Sequence, residues 1–188
     1  MKALHFLVLI ITLLTVTGCA GLSSPGNSES SAISDTRTTK DKWNDSNIEF
    51  EVAGLGNKVP FRGQIRVTAS SHSGTVVLIG QAKTQHELDS FIEQAHQIRG
   101  VKEIHNQVRI KEPLSVTAMS NDSWITTKVK SALLTNSELS GVSVKVITED
   151  KEVFLLGYVS QHHADIATEV ARNISGVKQV VRAFQYGD

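Results

Sequence analysis

The sequence predicts an α/β (α+β) chain of two tandem domains. Each is a helix–strand–strand–helix–strand unit with its helices packed on a small mixed sheet. Two observations carry this reading. Residues 65–80, "IRVTASSHSGTVVLIG", are two β-rich runs around a polar turn, and residues 144–157, "VKVITEDKEVFLLG", repeat the form with a turn two residues shorter. Each pair then leads into a helical periodicity, a glycine and a last β-rich run: "GVKEIHNQV" at 100–108 and "GVKQVVRAF" at 176–184. The repeat places the domains at 45–112 and 121–188, with a linker at 113–120.

Ahead of the repeat, Met1–Lys2 form a short positive start and an apolar run follows over residues 3–16. Small residues then precede a cysteine in "VTGC", residues 16–19. A charged start, an apolar segment too short to span a membrane comfortably and small residues at a cleavage site define a secretory signal peptide, here residues 1–18. The pattern resembles the bacterial lipobox, which implies that Cys19 carries diacylglycerol and an N-acyl chain as a lipid anchor. Cys19 is the only cysteine, so an internal disulfide is excluded. Ala20 and Gly21 follow it where an Asp would signal inner-membrane retention, so the resemblance implies the outer membrane, most simply its periplasmic face. Residues 19–44 read as a flexible tether on their Ser, Thr, Gly and Asn content. The 19 basic and 19 acidic residues balance, which argues against bulk nucleic-acid binding.

In the first unit the opening segment "NIEFEVAGLG", residues 47–56, carries Glu49 and Glu51, which an anionic surface would repel. Gly54, Gly56 and Pro60 are expected to shorten its helix. Thr84 and Glu87 form a capping box, and Leu88, Phe91, Ala95 and Ile98 one apolar face. Ala164, Ala167, Ala171 and Ile174 match that face in the second unit, and both helices are expected to stop at a glycine, Gly100 or Gly176. "VVLI" (76–79) and "VFLL" (153–156) are apolar throughout, so both sheet faces are expected to be covered and the two copies to pack together.

The second unit opens with "NDSWITTKVKSALL", residues 121–134. Asn121 or Asp122 is the expected cap, and Ile125, Val129, Ala132 and Leu133 form the core stripe. Trp124 falls on the outer side with Thr127, Ser131 and Leu134, and Lys128 and Lys130 lie towards the edges. Tryptophan suits a membrane interface, since its ring is largely apolar while its N–H stays hydrated. A ring docked on the first domain, or on a protein partner, is the alternative.

For catalysis the chain offers little. Adjacent His162 and His163 diverge on a helix, and a solvated helix start is their expected place. His72, His86, His96 and His105 are scattered, "GLGNKVPFRG" lacks the context of a nucleotide loop, and no nucleophile turn is present. No cofactor beyond the acyl chains on Cys19 is expected.

The glycine after each second strand (Gly80, Gly157) and the "GV" before each last one (Gly100–Val101, Gly176–Val177) resemble the signature of the BON domain. With the lipobox and "SNDSWITTKVKSALLT" (120–135), the chain resembles the dual-BON outer-membrane lipoproteins. That resemblance implies a non-enzymatic protein that supports outer-membrane integrity, concentrates at division sites and is linked to the β-barrel assembly machinery. It also implies binding of anionic phospholipid, phosphatidylglycerol above all, by the first helix of the second domain: Trp124, Ile125, Thr127, Lys128, Lys130, Ser131, Leu134 and Thr135. A periplasmic adaptor that binds proteins of the envelope or barrel-assembly machinery is the competing reading, and a small-ligand binder between the domains is the third.

Overall fold

A computed structural model describes residues 35–187. The signal peptide, Cys19 and most of the tether lie outside the described residues. The first domain comprises α1 (Thr39–Gly56), β1 (Ile65–His72), β2 (Thr75–Ala82), α2 (Gln85–His96) and β3 (Glu103–Ile110). The second comprises α3 (Val116–Thr135), a 3-10 turn (Ser137–Leu139), β4 (Lys145–Glu149), β5 (Glu152–Val159), α4 (Gln161–Arg172) and β6 (Gln179–Tyr186).

The strand orders are β1-β2-β3 and β4-β5-β6. Each hairpin is antiparallel, because a short turn leaves no other choice, and each last strand is parallel to the middle one, because a helix carries the chain across. The hairpin turns are two residues long in both domains, Ser73–Gly74 and Asp150–Lys151, all at positive φ. The expected difference in turn length is therefore corrected. The extra residues of the first copy lengthen β1, which runs eight residues against five for β4.

The glycine after each hairpin is sterically required. A Cβ on Gly80 would overlap the carbonyl oxygen of Arg66 on β1, and one on Gly157 would lie 2.6 Å from that of Ser143. The helices α2 and α4 end at His96 and Arg172, earlier than expected, and a turn closes at Gly100 and Gly176, both at φ 98°. The Thr84–Glu87 capping box forms as the sequence predicts.

Three apolar clusters hold the molecule. α1 and α2 cover one face of the first sheet through Ile48, Val52, Leu88, Phe91 and Ala95 against Ala69, Val76 and Leu78. α3 and α4 do the same in the second domain with Ile125, Val129, Ala167 and Ala171 against Val146, Val153 and Leu155. The opposite sheet faces meet each other: Ile79 packs with Ile147, Phe154 and Leu156, flanked by Val77, Val181 and Ala183. The molecule is thus a sandwich with sheets inside and helices outside, which explains why "VVLI" and "VFLL" have no polar face.

Lys145 pairs with Glu49 across the domains at one end of this sandwich, and a larger cluster of ion pairs binds them at the other. Buried Glu149 accepts from Arg66 and, at 2.7 Å, from Gln81, while Arg109 reaches Glu152 and Lys111 reaches Asp150. Such a buried carboxylate is tolerated because both partners approach it, not because the pair adds much net stability.

Candidate functional site: the outer face of α3

α3 begins at Val116, capped by Ser115, whose Oγ accepts from the Ala118 N–H at 3.3 Å. The expected cap at Asn121 or Asp122 is corrected, and most of the linker expected at 113–120 belongs to the helix. Asp122 is instead buried within it, its carboxylate accepting from the N–H groups of Asp150 and Lys151 at 2.7 and 2.9 Å. It holds the β4–β5 turn in its positive-φ form. Asp45, 77 positions earlier, does the same for Ser73 and Gly74 at 2.8 and 3.0 Å.

With Asp122, Ile125, Val129 and Leu133 turned inward, the outer face is fixed by the helical repeat. It carries Trp124, 62% exposed, and Leu134, 86% exposed, with Thr127, Lys130, Ser131 and Thr135 also in solvent. The hydroxyls are partly spent on the helix itself: Ser123, Thr127 and Thr135 donate to the carbonyls of Met119, Ser123 and Ser131 at 2.9, 3.0 and 3.0 Å. The face is accordingly less polar than its composition.

Two of the sequence-predicted contacts change. Ile125 is only 1% exposed and belongs to the core, so it cannot touch an external surface. Lys128 is half-buried, and its Nζ donates to the Ser175 carbonyl beside Gly176, which leaves Lys130 as the free cation of the site. Trp124 does not dock on the first domain, because the domains meet through their sheets on the side away from α3's outer face.

The first domain presents a second exposed surface that the sequence reading missed. α1 is not shortened by its glycines. It runs 18 residues to Gly56, starting from a Thr38–Asp41 capping box inside the segment read as tether. Trp43 and Phe50, two helical turns apart, are 68% and 78% exposed. Glu49 is turned away from that face, accepting from the Ser71 N–H at 2.8 Å and from Lys145 at 2.7 Å, so only Glu51 stands there as a repelling charge. The seven-residue spacing of Trp43 and Phe50 was the readable signal. His163 is also buried, held on Ser160, rather than solvated.

Among the described residues no helix is long and apolar enough to cross a membrane, and no cluster of His, Cys, Asp and Glu has the make-up of a metal site. What fold and face define is a two-domain α+β protein whose second unit presents a helix with apolar residues on its exposed side. The chain belongs to the BON-domain family, which matches residues 44–112 and 121–188. It is 35% identical to the outer membrane lipoprotein DolP of Haemophilus influenzae over 183 residues, covering 96% of this chain and 95% of that one. It is 42% identical to a 21 kDa hemolysin of Actinobacillus pleuropneumoniae over 153 residues, covering 81% and 79%. Among solved structures, CdsD of the Chlamydia trachomatis type III secretion system aligns at 19% identity and a TM-score of 0.30, over 77% of this chain and 65% of that one.

Proposed function

We propose that this chain is a non-enzymatic outer-membrane lipoprotein that rests the outer face of α3 on an anionic phospholipid surface and thereby supports outer-membrane integrity. The similarity to DolP along nearly the whole chain supports the outer-membrane lipoprotein part. One observation carries the lipid part: Trp124 and Leu134 stand in solvent on a helix whose hydroxyls are turned back on its own carbonyls, with Lys130 beside them.

The magnitudes fit a site that selects lipid and does not anchor by itself. Burying the two apolar side chains contributes roughly 2–4 kcal/mol. One lysine at an anionic surface adds on the order of 1 kcal/mol, less as salt rises. Alone this gives binding no tighter than about a few tenths of a millimolar. An acyl anchor at Cys19 keeps the protein at its own leaflet, so the effective concentration is high and a weak site is occupied.

The test is vesicle co-sedimentation of an unacylated form beginning after Cys19. Wild type is expected to sediment with phosphatidylglycerol-containing vesicles, not with zwitterionic ones, and a folded Trp124→Glu variant with neither. Wild type that ignores both kinds of vesicle sinks the reading. The adaptor reading for envelope or barrel-assembly partners draws on a different observation, the exposed Trp43 and Phe50 of α1. Photo-crosslinking from position 43 to a protein partner would support it.

A further inference from the structure

The two domains are related by an approximate twofold operation that exchanges residues 77 positions apart in the opening helix and hairpin and 76 apart beyond them. It turns the Gln81–Glu149 contact at one end of the sandwich into Tyr158–His72 at the other, where the rings stack at 6.2 Å and 17°. The two ends nevertheless differ. The first is shut by Arg66, Arg109 and Lys111 on acidic partners. The second holds a cleft of about 970 Å³.

Val77, Leu156, Val181 and Ala183 give this cleft an apolar lining. Thr75, Gln107, Tyr158 and Gln185 face it, and among the described residues their side chains have no hydrogen-bond partner in the protein. The charged groups around it are spent on one another: Arg37 on Asp35 and Asp45, Lys145 on Glu49, Arg182 on Asp165. Burial, and then the neighbouring Arg37, keep the His72 imidazole below the ordinary histidine range, hence neutral near pH 7. What is on offer is therefore two amides, a phenol, the hydroxyls of Thr75, Ser70 and Ser143 and the uncharged imidazole of His72, with the His105 ring beside Glu103, along an apolar strip.

We infer that this open end of the interdomain cleft binds a neutral glycan segment. The volume suits a small ligand at a domain boundary. An anionic ligand would find no unpaired cation. An extended peptide would bring one donor and one acceptor per residue and would need a free strand edge; β2 and β5 have none, and only the edge strands β1, β3, β4 and β6 could offer one, so a peptide is the comparison the test must include. Sugar hydroxyls both donate and accept, so they match amide and phenol side chains, while the C–H face of the ring lies on the valine and leucine surface.

The experiment is an amide NMR titration of the full acylated chain in a sugar-free detergent, with the neutral trimer of N-acetylglucosamine as probe and trialanine as comparison. Saturable shifts are expected at Thr75, Gln107, Tyr158 and Gln185 with the trisaccharide and not with trialanine. Gln107→Ala and Tyr158→Phe, which keeps the stacked ring, are each expected to weaken binding about 2–10-fold, the loss of one hydrogen bond. Absence of saturable shifts, an equal response to trialanine, or unchanged affinity in both variants overturns the inference. Trp124→Glu is expected to leave sugar binding intact, so this cleft and the lipid face of α3 fail or survive separately.

Discussion

Asp45 and Asp122 show how much one side chain decides in this fold. Each sits buried in an opening helix and accepts the two N–H groups of a hairpin turn at positive φ. Asp122→Ala leaves both donors without a partner and is expected to cost roughly 2–4 kcal/mol in denaturant unfolding, whereas Asp122→Asn, which keeps an acceptor, costs less. Burial tends to raise the Asp45 pKa, but hydrogen bonds from Ser71, Ser73, Gly74 and Arg37 outweigh it and hold the carboxyl below its ordinary range. The folded value being the lower one, this contribution is complete above the unfolded-state value near 4 and is lost as pH falls through it toward the folded value. Unfolding midpoints from pH 6 down to pH 3 should therefore drop more steeply in wild type than in Asp45→Asn. At this scale the sequence was misleading. Asp122 has the side chain of a helix cap and follows an Asn, yet its partner lies 28 residues on, in a turn no local pattern connects to it.

Among the elements, the hairpins and the second helices were legible, and the opening helices were legible only in part. β-branched runs, turn residues and the Thr84–Glu87 box are local signals, and they produced the elements expected of them. The start of α3 was hidden because "VTAMSN" mixes β-branched and hydroxyl residues of modest helix propensity, and tertiary packing overrides that preference. The glycines of α1 misled for a related reason: Gly54 and Gly56 fall in its last turn, where they break nothing. The hairpin glycines differ in kind. Gly80→Ala drives a Cβ into backbone and should unfold the first domain at growth temperature. Gly157→Ala, with slightly more room, should lower the melting temperature without abolishing the fold. Circular dichroism melts of the two variants give the order, and an equal effect would place the constraint elsewhere. As for the candidate site, Trp124, Thr127, Lys130, Ser131, Leu134 and Thr135 stand where the helical repeat puts them. Ile125 was assigned to both core and surface, and the helical repeat allows only the first.

At the scale of the whole molecule, the question is whether two small cores act as one. The contact between the sheets is apolar at its centre around Ile79 and Phe154 and ionic at both ends, with the pairs on Glu149, Asp150 and Glu152 at one and Lys145–Glu49 at the other. Phe154→Ala removes the largest side chain of that contact, at a cost of roughly 3–5 kcal/mol. Each domain keeps its helix-side core, so calorimetry should split one cooperative transition into two. A single transition at lower temperature would mean that neither domain stands without the other. That the copies would pack together was readable from two runs apolar on both faces. Which ends would be sealed was not, because the charges that seal them come from β1, β3 and the segment after it in one domain and from the β4–β5 hairpin in the other.

The placement of helices outside and sheets inside gives the protein two poles. Its duplicated opening helices occupy equivalent positions on opposite flanks, so the aromatic residues of one look away from those of the other. A molecule lying on α3 must hold up Trp43 and Phe50 towards the opposite compartment, and rolling over to bury them would lift Trp124 off. Duplication has in this sense made a two-sided object, with a ground side and a sky side, in which each side is presented only at the expense of the other.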